Sequence, residues 1–156
     1  MAEVEILVKP PSRKAAREAL EKIREDKPQA ILFNLPENVG DLMVELASGI
    51  INYEEFLEEA RERLPEPSAA WFKGYEEILE SLSKIRGRFD VYCYGDAAAF
   101  RVSAEHSIQL ALLSLRSMVT GRVDVEEWLR VLGEGAKLWK TASEREAEKV
   151  ADISTN

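Results

Sequence analysis

A chain of 156 residues is the size of one ordinary domain, large enough to bury a single core without disulfides or metals. Its formal net charge of −8 argues against a polyanionic partner, because nucleic-acid binding draws its affinity from Lys and Arg neutralising phosphates. One cysteine gives no disulfide framework, and no apolar run approaches the roughly 18 residues of a membrane span. Met1-Ala2-Glu3-Val4-Glu5 lacks the basic and apolar regions of a signal peptide, so a cytoplasmic protein with neither nucleic acid nor membrane as partner is expected. Charged residues make up 32% of the chain and Gln stands only at 29 and 109, a lean towards thermophilic composition.

Taken in order, Val4 to Val8 has the length and β-branched content of a first strand, ended by Lys9-Pro10-Pro11-Ser12 because proline cannot donate to a ladder. Ser12 can cap a helix from Arg13 to about Asp26, with Ala16, Ala19, Leu20 and Ile23 on one face. Lys27-Pro28 breaks it, and Ala30-Ile31-Leu32-Phe33-Asn34 reads as a second strand stopped by Pro36. Strand, helix, strand at this spacing predicts a βαβ unit with a right-handed crossover.

The next fifty residues are helical. Asp41 to Ala47 stops at Ser48-Gly49, and Asn52 with Glu55 opens a helix to about Leu64, closed by Pro65-Glu66-Pro67. Trp71, Tyr75, Ile78, Leu79, Leu82 and Ile85 predict one long amphipathic helix ending near Gly87. Residues 89–94, Phe89-Asp90-Val91-Tyr92-Cys93-Tyr94, form a third strand, parallel to the others because its crossover contains several helices. After Asp96 a leucine-rich helix to about Thr120 is expected to be deeply packed, through Leu110, Leu112, Leu113 and Leu115. Asp124 with Glu127 opens another helix through Trp128, Leu132 and Trp139, and Ser143 with Glu146 a last one to about Ile153. The Ala47–Leu57 and Val119–Leu129 stretches share one plan of helix end, glycine, apolar residue, N-cap, two glutamates, aromatic and leucine, which is the turn chemistry of a helical hairpin. The expected fold is a single helix-rich α/β domain over residues 1–156, with a small parallel sheet of about three strands (4–8, 30–34, 89–94) flanked by about seven helices.

Parallel strands end on one edge of a sheet, where open α/β folds place their ligands, so Lys9, Asn34 and Asp96 are expected as neighbours there. A cation, an amide and a carboxylate can orient a small polar ligand. Equally, Asp96 can cap the helix after it, Asn34 can close a turn and Lys9 can be solvated. His106, the only histidine, can be a general base near that edge or a packing residue. Cys93 lies inside a strand, where it fills core rather than serving as a nucleophile. The glutamate-rich helices contain no Glu-x-x-His pair, and no glycine-rich phosphate loop follows a strand. Neither a metal nor a cofactor is expected.

The order of these elements, a second strand ending in Asn34-Leu35-Pro36, a strand ending at Asp96 and a late helix reading Arg145-Glu146-x-x-Lys149-Val150-x-Asp152-Ile153, resembles the first half of the TraB/ChaN/erythromycin-esterase-like (TIKI-type) superfamily. There a comparable helix carries an Arg-Glu-x-x-Met-Ala-x-Asn-Ile-like motif, and the second strand often ends in Glu-Leu-Pro. The resemblance implies a ligand site at the strand ends, with Arg145 and Glu146 as its share of this chain. It departs where the superfamily's hydrolases carry Gly-x-x-His, for this chain has Lys9-Pro10-Pro11-Ser12, and where they carry glutamate, for this chain has Asn34. A second histidine motif would lie beyond Asn156, so the resemblance implies a half-domain or a degenerate member.

Two readings of function follow. The first is a non-catalytic interaction module or complex subunit, with a protein partner or a homo-oligomer contacted through large apolar side chains such as Trp71, Phe72, Trp128 and Trp139. The second is a small-molecule binder or hydrolase using Lys9, Asn34, Asp96, His106 and Arg145.

Overall fold

The computed structural model describes residues 3–66 and 71–156. Its first helix, α1 (Arg13–Asp26), begins where Ser12 accepts a hydrogen bond from the Ala15 amide at 3.2 Å. It ends at Lys27, whose φ of 47° breaks the helical run before Pro28. Strand β1 (Ala30–Pro36) pairs in parallel with β2 (Asp90–Gly95), Phe33 lying opposite Cys93 and Pro36 opposite Gly95, with the register slipping between those two pairs. The close approach at Gly95 needs a residue without a side chain, because a Cβ there would lie 2.5 Å from the Leu35 carbonyl oxygen.

Between the strands run a turn of 3-10 helix (Glu37–Val39), α2 (Gly40–Ala47), α3 (Tyr53–Arg63) and α4 (Glu76–Ser81), followed by a second 3-10 turn, Leu82–Lys84. The full capping box forms at α3: the Asn52 side chain accepts from the Glu55 amide at 3.0 Å, and the Glu55 carboxylate accepts from the Asn52 amide at 2.8 Å. The core is built here, from Phe33, Leu35 and Val91 of the sheet against Leu42, Met43, Phe56, Leu79 and Leu82. Phe72 is also buried, edge-on to Phe56 with ring centroids 5.4 Å apart.

Two long helices complete the chain, α5 (Ala97–Thr120) and α6 (Val125–Thr155), joined through Gly121 at φ 65° and an Asp124 N-cap. They span about 36 Å and about 46 Å at 1.5 Å per residue. None of their residues belongs to the core cluster of the α/β body. Among the described residues, no helix is long and apolar enough to cross a membrane.

The helix-rich α/β class and the parallel pairing agree with the sequence-based expectation, while several elements differ. The chain from Val4 to Val8 is not a strand, and Val4, Ile6, Leu7 and Val8 are 50% to 89% exposed. β-propensity describes fit to a pleated, half-buried surface, but this segment is tied elsewhere. Glu5 pairs with Lys22 of α1 at 2.9 Å, and Lys9 donates to the Gly74 carbonyl oxygen and covers the Tyr75 ring. The long helix expected through Ile85 is interrupted by a turn at Lys73–Tyr75, where Pro11 packs closely on Gly74. The closing Pro65-Glu66-Pro67 lies in part outside the described residues. At the C-terminus the structure has one helix instead of two, and Ser143 is not a cap.

Candidate functional site

Asp96 ends β2 and caps α5. Its Oδ1 accepts from the amides of Ala98 at 3.0 Å and Ala99 at 3.1 Å, and its Oδ2 accepts from Arg145 Nη1 at 3.3 Å. The Asp96 amide donates to Glu146 Oε1 at 3.1 Å. Three residues along α6, Lys149 pairs with Glu37 at 2.6 Å. Asp96 is 5% exposed; burial pushes its carboxyl up, but the Ala99 amide and the cations of Arg145 and Lys149 outweigh this and hold it below the ordinary aspartate range. The arrangement is an electrostatic clasp that pins the C-terminal third of α6 to the C-terminal ends of the strands.

Of the five residues expected to converge, the structure joins only Asp96 and Arg145. Lys9 is held at the Gly74–Tyr75 turn, 4.8 Å above the aromatic ring, and partial burial lowers its pKa. Asn34 is exposed within β1, before the strand's end at Pro36. His106 lies in the seam of the hairpin, where its Nε2 donates to the Val131 carbonyl oxygen at 2.6 Å. Cys93 is a free thiol that burial pushes up to about 12, as a strand-filling cysteine should be. No group of three or more His, Cys, Asp or Glu side chains among the described residues is placed to hold a metal.

The expectation of a deeply packed α5 is overturned, because Ala104 is its only buried residue among those described. The leucines divide between two faces. Ser103, His106, Leu110, Leu113 and Ser117, at alternating steps of three and four, are half-buried towards α6, where Val131, Gly135 and Ala142 are buried. Ile108, Leu112, Leu115 and Val119, at steps of four, three and four, lie outside that seam, Leu112 at its edge, and are 55%, 61%, 57% and 78% exposed. On α6, Val125, Leu129, Leu132, Ala136 and Trp139 repeat the same steps and are also exposed. A heptad period of this kind is the pattern of a helix that packs along another helix. The signal was present in the spacing, but the leucines at 110, 112, 113 and 115 merge into one stripe unless the 3.5-residue period is followed.

Two hollows lie away from the clasp. One of about 270 Å³ sits in the hairpin between Leu112, Arg116 and Arg130, and one of about 520 Å³ opens near Gln29, Ser48 and Asp90, where the strands begin.

No family model, curated protein or solved structure matches this chain.

Proposed function

We propose that this protein is an interaction module, in which a small α/β body presents a helical hairpin whose uncovered apolar stripes bind a protein partner. One observation carries the reading: two heptad stripes, Ile108 to Val119 on α5 and Val125 to Trp139 on α6, stand in solvent although each has the period of a packed helix. Of the aromatic residues expected at an interface, Trp139 is 57% exposed, Phe72 is buried, and Trp71 and Trp128 are half-buried. The clasp at Asp96 suits this role, since it fixes the hairpin to the body without engaging the stripes.

The test uses the difference between a surface and a core. Glutamate in place of Leu112 and Leu129 is expected to abolish binding of a hydrophobic dye while leaving the stability of the chain, measured at low protein concentration, within about 0.5 kcal/mol. A loss of about 3 kcal/mol or more would mean that these side chains belong to a folded interior, and the reading would be wrong.

A second reading, a small-molecule site of the TraB/ChaN type at the strand ends, draws support from one contact, Arg145 on Asp96. Against it, both Asp96 carboxylate oxygens are already engaged, and Lys9 and His106 are held in other contacts.

A further inference from the structure

We infer that the occupant of the α5 stripe is a second copy of this chain, docked antiparallel about a two-fold axis that passes between Leu112 and Leu115. The inference rests on the interaction-module reading and names its partner. An isologous interface requires that residue i meet j and j meet i, and the stripe satisfies this requirement on its own sequence. With Leu112 set against Leu115 of the second copy, Ile108 falls against Val119, so each large apolar residue finds another at steps of four, three and four.

Charge supports the same register. Although 32% of the whole chain is charged, the 24 residues of α5 carry only Arg101, Glu105 and Arg116. Arg116 acts within its own hairpin, where it adds to the hydrogen bond from Arg130 that holds the Glu127 carboxyl down. The two-fold register that aligns the leucines brings Glu105 level with the loop that follows α5 in the second copy, which holds Arg122, so opposite charges meet at each rim. A helix this poor in charge, and this exposed, is matched by another like it more readily than by an ordinary charged surface.

The stripe also sets the strength of the contact. Ile108, Leu112, Leu115 and Val119 are 55% to 78% exposed, and covering them removes on the order of 400 Å² per copy, the low end of specific interfaces, as in a dimer that exchanges with its monomer. Docking hairpin on hairpin in this register leaves the two α/β bodies at opposite ends, so they do not collide.

Sedimentation equilibrium of the whole chain tests this. A dimer is expected; Leu112→Glu weakens it by at least about tenfold, Glu105→Arg weakens it through the rim, and Glu105→Arg combined with Arg122→Glu restores it. A dimer indifferent to Leu112→Glu, or a charge swap that fails to restore association, overturns the register and the inference. A monomer at all concentrations also overturns it, and a hydrophobic dye then separates the two readings. Dye binding that Leu112→Glu abolishes leaves an interaction surface for a different partner, whereas no dye binding removes the interaction module as well.

Discussion

His106 is set against Gly135: its Nε2 donates to the Val131 carbonyl oxygen at 2.6 Å, and a Cβ on Gly135 would lie 2.5 Å from the imidazole Cε1. The only histidine of the chain is therefore the knob of the hairpin seam, and the glycine in the middle of α6 is its hole. Glycine in a helix interior costs about 1 kcal/mol relative to alanine, a loss the close approach of the ring offsets.

Gly135→Ala is accordingly expected to destabilise, by about 1–3 kcal/mol, despite alanine's better helix propensity. Urea denaturation measures it, with His106→Ala as the second arm of a double-mutant cycle. A gain in stability from Gly135→Ala in the presence of His106 would show that the seam is not packed this way.

Gly95→Ala should be worse tolerated. A Cβ there meets the Leu35 carbonyl oxygen at 2.5 Å and Phe100 Cε2 at 2.7 Å, and the first of these is backbone. A loss of about 2 kcal/mol or more is expected. A thermal midpoint equal to that of the parent protein would contradict the pairing of Pro36 with Gly95.

At the clasp, Asp96→Ala removes the cap of α5 and the partner of Arg145 together, with an expected loss of about 1–3 kcal/mol. Asp96→Asn keeps the cap and loses less. The folded pKa of Asp96 lies below its unfolded value, so its contribution is fully present above the unfolded pKa and disappears as pH falls through the folded one. Stability measured from neutral pH downward should thus decline less steeply in Asp96→Asn. Parallel acid limbs in the two proteins would show that the carboxylate is not linked to folding.

Cys93 should resist thiol reagents in the native protein. Burial raises its pKa to about 12, so folding favours the neutral thiol; that contribution is full below the unfolded pKa and is lost as pH rises through the folded value. At pH 8 a disulfide reagent is expected to react at least about a hundredfold more slowly with the native chain than with the denatured one. Immediate stoichiometric reaction of the native chain would contradict its placement in β2 beside Gly40 of α2.

What the sequence determined by itself was local. Ser12, Asn52 with Glu55, Asp96 and Asp124 all cap the helices they precede, and Gly49 and Gly121 adopt the positive φ of helix-ending turns. Such features depend on residues within four positions of one another. The parallel pairing of 30–36 with 90–95 was legible as well, because two apolar extended runs joined through several helices leave little alternative. Only the tertiary structure decided the rest. Val4 to Val8 has strand composition, but a strand takes its hydrogen bonds from another segment, and Lys9 and Glu5 were bound elsewhere. Arg145 and Glu146 reach Asp96 across about fifty residues, a closure no local rule dictates. The leucines of α5 are spaced for two faces; one face meets α6, and among the described residues no helix of the body lies along the other.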